Sequence, residues 1–270
     1  MSRLRILFGG GITAIVLLMA AVSLVWTPYA PTGIDILHRL AMPSPAHPFG
    51  TDPFGRDVLS MIMVGAQNSL AVSAVAVALG GAIGVPAGLI AAAQRGWTEE
   101  VLMRGADLTF AFPALLTAVM LTALRGPGAY TAMVAIGVFT APVLARVTRA
   151  AASVIWVQDF ARAARALGRG KPAVTMVHIL PNITGVLIVQ ITIQLSLAVL
   201  AEAALSFVGL GAQPPAPSWG RMLNDAQTYI YTAPLLSVFP GFAIALAVLG
   251  LNMLGDGLRD VFDLKRRRRA

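Results

Sequence analysis

Three groups of residues in this chain carry side chains that could do chemistry. His47, Asp52 and Asp57 stand close together in HPFGTDPFGRD and include the ligand types of a divalent-metal site. Sequence proximity is not ligand geometry, though, and no helical His-x-x-x-His pair accompanies them. Interleaved with Gly50, Pro53 and Gly55, the same residues suit a turn-rich segment, in which Gly and Asp set the backbone, and we read them so. The second group is Glu202 alone, in the apolar run Ala201-Glu202-Ala203-Ala204. A charged side chain within a membrane costs about 2.5–3.5 kcal/mol on insertion scales and is kept for a purpose. A proton relay would be one purpose; an interhelical or turn-stabilising hydrogen bond is the reading we adopt.

The third group is the stretch from Asp159 to Asn182, DFARAARALGRGKPAVTMVHILPN. Phe160, Ala163, Ala164 and Leu167 recur at i, i+3, i+4 and i+7, one face of a short helix, with Arg162, Arg165 and Arg169 off it. Asp159 is placed to cap the start, and Gly168 and Gly170 before Pro172 are placed to stop it. Its mostly alanine stripe lets another backbone come close, which suits docking into a groove on a second protein. Arg162, Arg165, Arg169 and Lys171 equally suit a basic helix resting on anionic lipid.

Other devices are missing. Gly168-Arg169-Gly170-Lys171-Pro172 has the wrong spacing for a phosphate loop and a proline where a Mg²⁺-binding hydroxyl belongs. No Gly-x-Ser-x-Gly elbow, His-Glu-x-x-His pair or other nucleophile–base constellation appears, so no enzyme is expected here and no cofactor in this chain.

The elements that must carry these groups are set by composition. Hydrophobic residues make up 57% and charged residues 12%, with a mean hydropathy of +0.77. Soluble domains run at about 45–50% and 25%. The chain is an all-α integral membrane protein on this reading. With about 20 apolar residues per span, it has room for six helices. There is no cysteine and hence no disulfide framework. Span 1 runs from Ile6 to Trp26, longer than the h-region of a signal peptide and without its small-x-small cleavage site. A proline-rich loop follows over 27–66, with a surface helix expected near its end. Span 2 is placed at 69–93, where Gly80, Gly84 and Gly88 form a small-xxx-small stripe for helix packing and Pro86 predicts a kink. Spans 3 to 6 are placed at 108–124, 129–145, 183–205 and 232–254. The segment 209–231, with GAQPPAPSWGRML, resists a simple helix and is expected to be re-entrant or interfacial. Of the twenty Lys and Arg, only Arg39, Arg56, Arg125 and Arg221 fall on the side opposite the termini. By the positive-inside rule both termini, the 94–107 loop and the 146–182 loop are cytoplasmic. The net charge of +8 is thus that of membrane loops, and no nucleic acid partner is expected.

Several of these stretches resemble one family. Arg162-Ala163-Ala164, Gly168 and His178-Ile179-Leu180-Pro181 are similar to the EAA loop of ABC importer permeases, whose motif glutamate is here Arg162. HPFGTD with GRDVLS at Gly55–Ser60, LSFVGLG at Leu205–Gly211, PSWG at Pro217–Gly220 and the GDGLRD ending at Gly255–Asp260 resemble the C-type permeases of dipeptide and oligopeptide importers. The resemblance implies a type I importer permease: an N-terminal span and extracytoplasmic loop (1–65), a transmembrane domain (66–256) and a basic cytoplasmic tail (257–270). It further implies that Asp159, Phe160, Ala163, Ala164, Leu167, Gly168 and Pro181 form a cytoplasmic coupling helix and loop. The partners implied are a second homologous permease, two ATP-binding subunits that hold ATP and Mg, an extracytoplasmic peptide-binding protein and membrane lipid. Peptides are the cargo implied, with nickel, glutathione or another small ligand open within the same architecture. An ion-coupled carrier dependent on Glu202 is the alternative of a different class.

Overall fold

The computed structural model describes residues 2–112 and 114–267, with side chains described over 4–112 and 116–262. Arg268 and Arg269 of the expected basic tail lie outside the described residues, as do the side chains of Lys265, Arg266 and Arg267. Helix α1 (Ser2–Val22) ends one turn before the expected Trp26, and the loop that follows holds a short 3-10 turn at Ile36–His38. The helix expected near the end of that loop is the start of α2 (Val58–Gln94) itself. This helix has 37 residues, not the span placed at 69–93. At 1.5 Å per residue it is about 55 Å long, against about 30 Å of hydrocarbon. Its limits are chemical rather than set by bilayer thickness. Asp57 caps it by accepting from the Ser60 N–H at 2.8 Å, and it ends where Arg95 and Gly96 take positive φ.

Span 3 is not one helix. It is replaced by α3 (Trp97–Ala111) and α4 (Ala114–Arg125), whose axes are bent by 87° from one another. α5 (Ala129–Trp156) continues well beyond the expected residue 145, and on that extension Arg146 and Arg149 pair with Asp107 and Glu99 of α3. α6 (Asp159–Ala166) follows. α7 (Lys171–Val174) then runs through a π turn at Thr175–Ile179 into α8 (Leu180–Phe207), one apolar helical rod from 171 to 207 where a break before 183 was expected. Pro181 has no N–H to give, and the wide turn, with the Leu180 N–H reaching Thr175 O, absorbs it without ending the helix. Within 209–231 a helix does form, α9 (Trp219–Ala226), capped by Ser218. α10 (Leu235–Arg267) completes the chain. Among the described residues five helices are long and apolar enough to span a membrane, six if α3 and α4 count as one broken span.

α2 and α5 form the closest helix pair. A Cβ on Gly80 would stand 2.6 Å from Thr140 Cβ, and on Gly84 or Gly88 it would run into the Ala141 or Ala145 carbonyl. Apolar surface gives no net drive to associate in lipid, so such backbone approach is what dispersion forces need. Buried residues form three zones along the bundle. One joins α2, α8, α9 and α10 around Trp219; one joins α2, α5 and α8 around Ala76, Ala132 and Ala198; the third lies at the ends that carry α6.

Gly84→Leu should therefore destabilise more than Gly81→Leu one residue away, where a Cβ meets only Leu144 Cδ1 at 3.6 Å. We expect a difference of at least about 1–3 kcal/mol, the usual cost of overpacking. The check is the midpoint of thermal unfolding of the purified protein in detergent.

Candidate coupling helix and its anchorage

α6 is separated from α5 by only Val157 and Gln158. The cap is Gln158, not Asp159 as expected: Gln158 has extended backbone and its carbonyl accepts from the N–H groups of Ala161 and Arg162. Asp159 is instead the first helical residue. A carboxylate there complements the positive end of the helix dipole, which explains its position without a side-chain cap bond. Its partner is Arg162, 3.9 Å away and exposed like itself. The far end closes as a Schellman motif. The Arg169 N–H bonds Ala164 O at 3.2 Å, the Gly168 N–H bonds Arg165 O at 3.0 Å, and Gly168 takes φ +84, a conformation that favours glycine.

The expected apolar face is divided. Ala164 turns inward together with Ala161, which had not been singled out, and both are buried against Leu89 and Ala92 of α2, Ala152 and Ile155 of α5, and Val174, Ile179 and Ile183 of the long rod. Phe160, Ala163 and Leu167 remain outward, with Leu167 85% exposed. The i, i+3 pair Ala161–Ala164 was the available signal for the inner face, since small residues on both sides of a short helix mark it as pinned below and open above. Pro181 lies exposed on the rod beside this platform. Arg169 Nη1 stands 3.4 Å from His178 Nε2, and the rings of His178 and Phe160 are 6.3 Å apart, so loop and rod touch again beyond the turn.

The other chemistry-bearing groups are consumed by structure. Asp57 accepts from Ser60 through N–H and Oγ and faces His47 Nδ1 at 2.9 Å; Asp52 is paired with Arg56 at 2.6 Å. No three metal-ligating groups converge among the described residues. Glu202, 1% exposed, accepts from Ser206 Oγ at 2.7 Å. Ser69 of α2 and Ser218 flank the same carboxyl, and its Oε2 has no complete hydrogen bond among the described residues. Ser206 Oγ accepts from the Ala212 N–H and Ser69 Oγ from the Trp219 N–H, while Trp219 Nε1 donates to Ile62 O at 3.1 Å. LSFVGLG and PSWG are thus fastened to α2 around Glu202.

A bundle of apolar spans that holds out a short amphipathic helix, pinned to three spans at once, defines a multi-spanning membrane protein of the permease class. The chain belongs to the family of binding-protein-dependent transport system inner membrane components, permeases of ABC importers, whose model matches residues 84–268. It is similar, at 40% identity over 253 residues, 93% of this chain and 84% of theirs, to the glutathione transport system permease protein GsiD of Escherichia coli O6:K15:H31 (strain 536 / UPEC) and of Shigella boydii serotype 4 (strain Sb227). Its fold is similar to a chain of the MetNI methionine ABC transporter, solved in inward facing conformations. The TM-score is 0.62 over 74% of this chain and 96% of that one, at 21% identity. The architecture is that of a type I importer permease.

Glu202→Gln, which keeps the acceptor of the Ser206 bond, is expected to express and unfold as the unaltered protein does. Glu202→Leu leaves the Ser206 hydroxyl without its acceptor and should lose about 1–3 kcal/mol, the cost of a buried unmade hydrogen bond. Thermal unfolding in detergent distinguishes the two.

Proposed function

We propose that this chain is one of two paired permeases of an importer that carries small peptides or peptide-like solutes such as glutathione across the inner membrane. The observation that carries the reading is the outward edge of α6, Phe160, Ala163 and Leu167, exposed on a helix whose other face is fixed to α2, α5 and α8. An apolar edge on an anchored helix has a use if a partner covers it, and in this family the partner is an ATP-binding subunit. Two such subunits bind ATP and Mg; this chain contributes no group to that chemistry. An extracytoplasmic binding protein delivers the solute to the face bearing the 27–57 loop, and both termini lie with α6 in the cytoplasm. The residue ranges 1–65, 66–256 and 257–270 then act as entry span and loop, transport domain and basic tail. Likeness to glutathione permeases over almost the whole chain supports a peptide-type solute.

Arg162 takes the place of a glutamate in the family motif, and it is exposed beside Asp159. It leaves the inner face, Ala161 and Ala164, unaltered, so the anchorage of α6 does not depend on it.

The test is affinity purification from the native membrane followed by uptake in liposomes. A second permease and ATP-binding subunits should accompany the chain, and uptake should require ATP. A chain that is reproducibly alone and transports without ATP overturns the reading. Leu167→Asp and Gly168→Asp each place charge at the outward edge. Asp tolerates the left-handed conformation that Gly168 holds, and nothing lies within 4 Å of the Cβ it would add. Both variants should insert normally and lower ATP-driven uptake at least about tenfold, equivalent to 1.4 kcal/mol of docking energy.

A further inference from the structure

Midway along α8, Gln194 is 6% exposed, yet its carboxamide makes no hydrogen bond among the described residues. Other polar side chains nearby are satisfied on their own helices: Thr140 Oγ1 donates to Ile136 O and Thr192 Oγ1 to Ile188 O, each at 2.9 Å. A carboxamide offers two donors and an acceptor oxygen, and leaving them unused in a low-dielectric interior costs about 1–3 kcal/mol. An amide left open to a cavity at this depth is a candidate contact for a solute.

Gln194 lines an open cavity of about 460 Å³ between α3, α4, α5 and α8. The walls are apolar, with Ile136, Phe139, Val143, Leu197 and Ala201 prominent, and no charged side chain lines them. The volume is within the range of small-solute sites, roughly 300–1,000 Å³, and apolar walls with one placed polar group are their usual chemistry. One turn earlier on α8, half-buried Gln190 likewise has no hydrogen bond among the described residues and continues the line of amides along the same face.

We infer that Gln194, with Gln190 behind it, is a solute-contacting site of the translocation path that recognises the peptide bond by paired amide hydrogen bonds. The inference rests on the proposed function and deepens it. With no charged wall to select a side chain, the site reads only what all peptides share. Side chains meet Leu, Ile, Phe and Ala surfaces that tolerate many shapes, so this site confers amide selectivity and breadth together.

The chain has no cysteine, so Gln194→Cys introduces its only thiol. In the assembled importer, with its ATP-binding partners present, that thiol is exposed to a membrane-impermeant methanethiosulfonate and the mass shift of this chain is followed. Ile15→Cys, on the exposed flank of α1, serves as the lipid-facing control. The reagent is confined to water and needs an accessible thiolate, so a thiol on a path open to water should react at least about tenfold faster than one that faces lipid. Glutathione or mixed dipeptides should slow that reaction several-fold, and free glycine, which has no amide bond, should not. An unreactive thiol in a complex that retains its partners means the cavity is sealed by lipid or by the second permease, and overturns the inference while the importer reading stands. Reaction without protection overturns amide recognition. Loss of the partners from the unaltered chain overturns the importer reading instead. If Gln194→Cys does not assemble, Gln194→Asn and Gln194→Leu replace it, with uptake of labelled glutathione and labelled dipeptides as the readout. The amide-keeping Asn variant should exceed Leu several-fold; equal rates, or an unaltered complex that carries neither solute, overturn the proposal.

Discussion

The close approach of α2 to α5 is the constraint on which the rest of the molecule depends. Without water to expel, two helices in a bilayer gain from packing only when their backbones come near, and Gly80, Gly84 and Gly88 remove the side chains that would keep them apart. The carbonyls of Ala141 and Ala145 then occupy the space where a Cβ would sit. This pairing fixes the position of the α5 end, and through Trp156, Val157 and Gln158 it fixes where α6 begins. It also sets α5 against α8 across the cavity that Gln194 lines. A side chain on the glycine stripe would thus disturb the docking helix and the cavity together.

Polar groups inside the bundle are handled by three different means. Hydroxyls return to their own helix, as Thr140 does. Glu202 accepts from Ser206 of its own helix, with Ser69 of α2 and Ser218 beside it, so the carboxyl sits where elements distant in sequence meet. Pro181, which breaks the backbone ladder, is absorbed by a π turn and leaves the rod from 171 to 207 intact. A break before residue 183 would separate α6 from the cavity walls, and the intact rod joins them.

Much of this was legible in the residues, and the failures share a cause. Apolar runs, basic loops and the small-residue stripe disclose membrane helices, because each reports a one-dimensional property: length, charge or period. Helix ends were misplaced where a particular side-chain contact, and not the depth of the bilayer, decided them. α5 continues past residue 145, where Arg146 and Arg149 find Asp107 and Glu99, and α2 starts at Asp57 because the cap is made there rather than at a bilayer depth. The bend between α3 and α4 left no mark in hydropathy. The face of α6 was found but Ala164 was placed on the wrong side of it, since an alanine stripe suits a close internal contact as well as an external one. Gln194 was visible as an amide in an uncharged run; what made it a candidate was the absence of any hydrogen-bonding neighbour, which only tertiary structure discloses.

In the proposed cycle these features act as one lever. Ala161 and Ala164 rest on Ala152 and Ile155 of α5 and on Ile183 of α8, and the same two helices supply Ile136, Val143, Gln194 and Leu197 to the cavity. From Ile183 to Gln194 along α8 is about 16 Å at 1.5 Å per residue. Close-packed helices shift as units rather than deform continuously, so a partner that displaces α6 must move both walls of the cavity or break its own contact with the platform. The rigid anchorage of α6 and the unbroken rod are what make the first outcome the less costly one. On the proposed reading, an amide between two such walls holds a solute when they converge and releases it when they part.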